Sequence, residues 1–154
     1  MTKGSRPIDA AACEAAAKVC ACFNLRRASR AASQYFDSVL QPSGLRSTQF
    51  VLLALVRAGE PIAPSNLARA MVMDRSTLSR NIRPLAGAGL LLAGRRKGAR
   101  GTALSLTAKG VRTLTAAVPL WERAQRHLVE GMGPARWAAL APLLERVAAA
   151  PAAR

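Results

Sequence analysis

Basic side chains are concentrated in one third of this 154-residue chain, and their chemistry is the binding of a polyanion. Residues 64–112 contain ten lysines and arginines and a single acid, Asp74, so this segment has a net charge of +9, out of +15 for the whole chain. Phosphate groups are attracted to such a surface, and the release of their counterions strengthens binding. The pattern indicates a nucleic-acid partner. A membrane surface, or a solvated face without any partner, is the alternative interpretation.

Three cysteines, Cys13, Cys20 and Cys22, are the reactive side chains near the N-terminus. An odd number in a cysteine-poor chain does not make a disulfide scaffold, so we expect reduced thiols in a cytoplasmic protein. On a regular helix, Cys20 and Cys22 would diverge by about 200°, and a disulfide between them would require local unwinding. Cys13 and Cys20 would lie about 10.5 Å apart along the axis, too far to join. Alternatively, all three are small buried hydrophobes.

Sequence patterns of catalysis are missing. The chain has one histidine, His127, few and scattered acids, no glycine-rich phosphate loop, no G-x-S-x-G and no metal-ligand spacing. We therefore expect that the protein is not an enzyme and that it has neither a cofactor nor a metal site. We also expect no membrane span, because no segment has the roughly 20 apolar residues required, and no signal peptide, because the N-terminus lacks an apolar stretch.

The elements that must position the basic and thiol groups are mainly helical. Apolar residues at helical spacing predict a long helix over 11–40, and an almost wholly apolar stretch predicts a buried helix from Ser47 to Gly59. Ser65 is the expected cap of a short helix over 66–71, and Asp74 that of a helix beginning at Arg75. The short turn between them predicts a helix-turn-helix.

The helix after Asp74 has two distinct faces. Leu78, Ile82 and Leu85 lie at inward-facing positions, opposite a polar face. Pro84 should bend this helix or tighten its last turns. Residues 90–92 and 102–106 then predict two strands around a basic, glycine-rich loop over 94–101, which together form a wing.

Two further helices close the chain. One is capped by Thr107 and runs to about Met132, with a bend expected at Pro119, and the next opens at Gly133-Pro134, with a break expected at Pro142. The predicted fold is mainly α with a small β-wing. It comprises a winged helix-turn-helix lobe over 46–106, a helical dimerisation region over 11–45 and 107–148, and flexible tails over 1–10 and 149–154. The homodimer is predicted from apolar positions in the terminal helices: Val19, Phe23, Leu128, Trp137 and Leu144.

Three motifs, in their order and spacing, resemble the MarR family of bacterial transcription regulators. Residues 74–80, Asp-Arg-Ser-Thr-Leu-Ser-Arg, resemble the family's D-R-S-T-V-T-R. Leu85 with Gly89-Leu90-Leu91 resembles L-x-x-x-G-L-V, and residues 106–110 match L-T-x-x-G. The resemblance covers about residues 15–148. It implies a regulator, expected to be a repressor, that binds an imperfect palindrome as a dimer with its recognition helices in successive major grooves.

The resemblance also assigns DNA contacts within residues 64–112. Short hydroxyls allow close approach, and arginine can bind guanine in bidentate fashion, so the major-groove candidates are Arg75, Ser76, Thr77, Ser79, Arg80 and Arg83. The expected phosphate or minor-groove contacts are Arg95, Arg96, Lys97 and Arg100. Arg100 falls at the position of the wing arginine that the family inserts into the minor groove. Gly98 replaces the aspartate that usually orients this arginine.

Three alternatives remain for how DNA binding by the regulator is controlled. Residues 22–30 resemble the C-F-A-L-Y-A-A-S-R run of the family's peroxide-sensing branch, which implies Cys22 as a sensing thiol with Cys20 beside it. The tyrosines that bond the cysteine in that branch are replaced here. The second alternative is an aromatic or phenolic ligand in a cleft lined by Tyr35, Trp121, Arg26 and Arg30. The third is effector-independent or architectural DNA binding.

Overall fold

The computed structural model describes residues 9–95 and 101–150, with the backbone alone at Arg95. These residues form seven α-helices and one two-stranded antiparallel sheet, as the predicted mainly α fold with a small β-wing requires. The helices are α1 (Ala10–Val19), α2 (Ala21–Leu40), α3 (Ser47–Gly59), α4 (Pro64–Ala70), α5 (Arg75–Gly87), α6 (Ala108–Met132) and α7 (Pro134–Ala149). The strands are β1 (Leu91–Arg95) and β2 (Thr102–Leu106).

The chain divides after Tyr35 into two compact units. The first contains α1 and most of α2, and the second contains the remainder, including the helix-turn-helix and the hairpin. The second unit has a single hydrophobic core built from α3, α4, α5, the hairpin and α6. Its largest fully buried side chains are Leu40, Leu52, Leu53, Val56, Leu67 and Leu85.

The long helix predicted over 11–40 is wrong, because the structure interrupts it at Cys20. The backbone of Cys20 is extended, at φ −66° and ψ 110°, and its Sγ accepts the Phe23 N–H at 3.5 Å. The Asn24 side-chain amide donates to the carbonyls of Lys18 at 2.9 Å and Cys20 at 3.0 Å. These side chains satisfy backbone groups that a continuous helix would pair internally, which is why two helix ends can lie here.

Both helices that flank the predicted tails extend into them. Asp9 accepts the Ala12 N–H at 2.7 Å and caps α1, so the helix begins inside the tail predicted over 1–10. At the other end α7 continues to Ala149. The break expected at Pro142 is wrong, because α7 runs through this exposed residue, where water can replace the missing hydrogen bond. α6 is continuous through Pro119, and the bend expected there stays a prediction.

The second predicted helix has the expected bounds but not the expected all-round burial. Phe50, Leu52, Leu53 and Val56 are buried, whereas Val51 is 43% exposed, because one face of α3 lies at the surface. The start of α3 is held from outside the helix as well as inside it. Asp37 accepts the Ser47 N–H at 2.6 Å and lies 3.6 Å from the Arg46 guanidinium.

The helix-turn-helix consists of α4 and α5. Ser65 does not cap α4 as predicted, because Pro64 occupies the first helical position and Ala63 is the cap. The α4 end is closed by two hydrogen bonds, from the Val72 N–H to the Arg69 carbonyl and from the Met73 N–H to the Ala68 carbonyl. Val72 has φ +51°, the left-handed conformation that glycine usually adopts at such a helix end.

The hairpin follows α5 with a defined register. Leu91 pairs with Leu106 and Arg95 with Thr102. The second strand has the predicted bounds, but the first begins at Leu91 rather than at residue 90 and extends to Arg95. Ile62 adds a two-bond bridge to Leu104 on the other side of β2, which connects the segment before α4 to the hairpin.

Candidate nucleic-acid interface

The face of α5 that points away from the core is basic and polar. Leu78 and Leu85 are buried and Ile82 is half-buried, as the helical spacing predicted. The exposed side of the helix carries Arg75, Ser76, Ser79, Arg80 and Arg83. Five of the six predicted major-groove residues therefore lie on one exposed surface, and the sixth, Thr77, is half-buried at its edge.

Asp74 organises the first turn of α5 more extensively than a simple cap. Its carboxylate accepts the Thr77 N–H at 2.8 Å, the Ser76 hydroxyl at 2.6 Å and the Thr77 hydroxyl at 2.7 Å. Thr77 Oγ1 in turn accepts a hydrogen bond from the Arg80 guanidinium at 3.1 Å. The bond from Ser76, followed by those from Thr77, holds the pKa of Asp74 far below its ordinary value, so the carboxylate stays ionised.

This network gives two predicted contact residues a structural role in the protein itself, while their contact with DNA stays a prediction. The hydroxyl protons of Ser76 and Thr77 are directed at Asp74, so these side chains fix the helix start. The sequence identified Asp74 as a cap but not as the acceptor of both hydroxyls. The signal was nonetheless present, because serine and threonine two and three residues after a capping aspartate lie within its reach.

In the described part of the chain, no ion pair neutralises the arginines of α5. Within residues 9–95 and 101–150, ion pairs join Lys18 to Glu14, Arg46 to Asp37 and Arg57 to Glu60, and none engages α5. The helix itself contains no acid, and Asp74 precedes it. The guanidinium groups of Arg75 and Arg83 are therefore available to an anionic partner.

The structure fixes the base of the predicted wing. Arg95 ends β1 opposite Thr102, at the start of β2. Arg96, Lys97, Gly98 and Arg100 lie outside the described residues, as does the Arg95 side chain. Their assignment to phosphate or minor-groove contacts stays a prediction.

The predicted redox residues lie at the break between α1 and α2. Cys13, Cys20 and Cys22 are all exposed on the single chain, so burial of these thiols would have to come from a partner chain. Cys20 caps α2 and Cys22 lies in its first turn. The divergence expected from a regular helix does not apply to this pair, because Cys20 is not helical.

The predicted ligand-cleft residues are divided between the two units of the chain. Arg26 and Arg30 are exposed on α2, and Tyr35 is half-buried further along the same helix. In the second unit, Trp121 stacks on Phe50, with ring centroids 5.6 Å apart and planes at 16°. Packing thus accounts for Trp121 without a ligand.

Comparisons with known proteins agree with this arrangement. A family model described as a helix-turn-helix domain matches residues 46–92. The fold is shared with a mutant MarR from E. coli, solved with operator DNA, at 20% identity and a TM-score of 0.75, over 86% of this chain and 96% of that chain. MosR of M. tuberculosis, solved in complex with DNA, is 36% identical at a TM-score of 0.73, over 86% and 99% of the two chains. The chain belongs to the MarR family of winged helix-turn-helix transcriptional regulators.

Other comparisons are consistent with this family. The transcriptional repressor CouR, solved with p-coumaroyl-CoA, is 26% identical at a TM-score of 0.79, over 88% of this chain and 96% of that chain. Among curated protein sequences, no significant match was found. MarR-family proteins are transcriptional regulators rather than enzymes. Of the helices in the described part of the chain, none is long and apolar enough to cross a membrane.

Proposed function

We propose that this protein is a repressor that binds a palindromic DNA operator as a homodimer, with α5 in the major groove. The observation that carries the proposal is the exposed basic face of α5 behind the Asp74 cap, which no acidic side chain among the described residues neutralises. A helix of this kind fits the major groove and reads base edges with residues near its start. The solved complex of MosR with DNA, a protein 36% identical to this one, supports the proposal.

Contacts with the duplex divide between the helix and the wing. Arg75 and Arg80 lie in the first two turns of α5, where bidentate bonds to guanine are possible, and Ser79 lies beside them. Arg83 is one turn further along and suits a phosphate. Arg95, Arg96, Lys97 and Arg100 complete the interface through the backbone or the minor groove. The net charge of +9 over residues 64–112 then steers the whole lobe toward DNA.

Exposed apolar side chains support the homodimer. Val19 is 81% exposed and Phe23 44% in the first unit, while Leu143 is 52% and Val147 56% exposed on α7. Leu143 and Val147 are four residues apart on α7 and so share one face of the helix, and an exposed apolar face of this kind is one that a partner can cover. Sedimentation at micromolar concentration should give a mass twice that of the 16.2 kDa chain. A single 16.2 kDa species would contradict the dimer.

A salt titration tests how the basic face is used. For wild type, the logarithm of the association constant should fall linearly with the logarithm of salt concentration, by about 0.9 for each phosphate neutralised. Arg83→Ala should reduce the slope by roughly one such contact. Arg136→Ala, which removes the same charge from an exposed position on α7, is the matched control and should leave the slope unchanged. A flat response for wild type would contradict DNA binding.

The thiol pair is the leading candidate for control of operator binding. A peroxide would oxidise the Cys22 thiol to a sulfenic acid with release of one water, and the Cys20 thiol would displace a second water to form the disulfide. Both cysteines are exposed residues, and Cys20 already has non-helical backbone. Disulfide formation would redirect Cys20 Sγ from the Phe23 N–H, so the start of α2 would lose its cap. The position of the two cysteines at the start of α2 therefore supports a redox switch in which disulfide formation alters the predicted dimerisation region.

Operator binding with hydrogen peroxide, followed by dithiothreitol, tests the thiol pair. Wild-type protein should lose affinity with the oxidant and regain it with the reductant. Cys20→Ser and Cys22→Ser should not form the disulfide, whereas Cys13→Ser, at an exposed position on α1, is the matched control and should respond like wild type. Unchanged binding by oxidised wild type would remove the thiol proposal. If a phenolic acid releases the operator instead, the ligand alternative is favoured. The first residues to substitute would then be those of the predicted cleft: Arg26, Arg30, Tyr35 and Trp121.

A further inference from the structure

We infer that Lys109 is a positioning residue, whose ammonium group holds the end of recognition helix α5 in place of contacting a DNA phosphate. Lys109 is one of the ten basic residues in the segment whose charge indicated a nucleic-acid partner. The inference rests on the proposed function, because it assigns to this lysine a part in operator recognition. Lys109 lies at the junction between the end of α5 and the first turn of α6.

The end of α5 is closed by a tight turn. The Gly89 N–H donates to the Ala86 carbonyl and the Leu90 N–H to the Leu85 carbonyl, both at 2.9 Å. Gly89 has φ +69°, so it adopts the left-handed conformation that this type of helix end requires. The turn leaves the carbonyls of the next residues without partners inside α5.

Three consecutive carbonyls of this turn are bound by residues at the start of α6. Lys109 Nζ donates to the Ala88 carbonyl at 2.8 Å. The Thr107 hydroxyl donates to the Gly89 carbonyl at 2.7 Å, and the Thr107 N–H donates to the Leu90 carbonyl at 3.0 Å. No carbonyl of the sequence Ala88-Gly89-Leu90 therefore depends on solvent alone.

The same residues also begin α6. Thr107 Oγ1 accepts the Gly110 N–H at 2.8 Å while its own proton binds Gly89, so one hydroxyl joins the two helix ends. Gly110 lies so close that a Cβ there would overlap the Leu90 carbonyl oxygen. The L-T-x-x-G motif is thus a packing junction between α5 and α6, and Lys109 occupies its second variable position.

The positive charge of Lys109 is better explained by its position at the C-terminal end of α5 than by a contact with a DNA phosphate. A cation at the C-terminal end of a helix interacts favourably with the helix dipole, and its hydrogen bond to a carbonyl is charge-assisted. With Nζ directed at Ala88, the side chain extends toward the end of α5. Loss of the bond should loosen the end of α5 and reduce recognition of sequence more than general attraction to DNA.

Binding to two duplexes separates the possible roles of Lys109. The probes are a duplex recovered by wild-type protein from a random pool and a scrambled duplex of the same length. Lys109→Met keeps the length of the side chain and removes its donor, and should lower the preference for the selected duplex by about threefold to tenfold. Its salt slope should equal that of wild type. Lys109→Arg, which can still donate to the carbonyl, should retain most of the preference.

Arg112→Met is the matched control, because it removes the same charge from an exposed position three residues along α6. It should keep the wild-type preference. Equal weakening of both duplexes by Lys109→Met, with a slope reduced by about 0.9, would show a phosphate contact and overturn the inference. A lower melting temperature with unchanged preference would show a merely structural role and also overturn it. If wild type enriches no duplex, the proposed function fails, and the inference with it.

Discussion

Side-chain hydrogen bonds within the protein fix the first turn of α5 in the absence of any bound partner. The Asp74 carboxylate accepts hydrogen bonds from the Thr77 N–H and from the hydroxyls of Ser76 and Thr77. Thr77 Oγ1 accepts a further hydrogen bond from the Arg80 guanidinium. The hydroxyl groups of Ser76 and Thr77, which the sequence analysis predicted to contact bases, therefore already form hydrogen bonds within the protein. Under the proposed function, we therefore expect the sequence-specific part of the surface to be narrower than the six predicted residues, with Arg75, Ser79 and Arg80 at its centre.

Asp74→Ala should lower both the melting temperature and the operator affinity at pH 7, because α5 loses its cap. The pKa of Asp74 in the folded state is lowered, so its contribution to stability is complete above the ordinary aspartate pKa of about 4 and declines as the pH falls toward the lower folded value. The difference in melting temperature between wild type and variant should therefore shrink below about pH 4. Thermal unfolding from pH 7 to pH 3 measures this, and equal melting temperatures at pH 7 would contradict it.

Val72→Gly should stabilise the protein. A β-branched residue is strained at φ +51°, its side chain is 70% exposed, and little packing is lost on its removal. The expected gain in the free energy of unfolding is about 0.5–1 kcal/mol, since relief of strain exceeds the greater freedom of glycine in the unfolded chain. Met73→Gly, at the next position and with negative φ, is the control and should destabilise. Urea denaturation compares them, and a less stable Val72→Gly would refute the strain.

At the scale of elements, the junction between α5 and α6 explains why a glycine ends the L-T-x-x-G motif. Gly110→Ala should reduce the free energy of unfolding by about 2 kcal/mol or more, because backbone at Leu90 must move. Gly131→Ala is a matched control in the same helix, with open space at its Cβ, and should stabilise by about 0.4–1 kcal/mol. If chemical denaturation shows the two variants to be equally stable, the close approach of α6 to Leu90 is unimportant.

The elements also show which structures are predictable from a single sequence. The two faces of α5 and the caps at Asp74 and Thr107 follow from helical spacing and from side-chain chemistry, and both agree with the structure. The break at Cys20 was missed because apolar and alanine-rich sequence continues through it, while the caps that permit it come from Asn24 and a cysteine, an unusual cap. The expected break at Pro142 was wrong because a proline on an exposed helix face removes one hydrogen bond only.

At the scale of the whole molecule, charge and thiols are separated along the chain. Most of the excess charge lies in residues 64–112, in the second unit, whereas the three cysteines lie in the first. This division fits a regulator in which one region binds DNA and another responds to a signal. The family and the DNA-binding lobe were predictable because motif residues are local in sequence. The switch was not predictable, because the residue types of a reactive thiol pair and of a ligand cleft are both present in the sequence, and the choice between them depends on how the side chains are arranged in space.

Selection of DNA sites from a random pool by full-length reduced protein tests the central claim most directly. We predict enrichment of one imperfect palindrome, with half-sites separated by about one helical turn of 10–10.5 base pairs. Arg80→Ala should enrich a degenerate sequence at the positions that wild type specifies. Uniform recovery of all sequences by wild type, or no recovery at all, would contradict a regulator that reads its operator through α5.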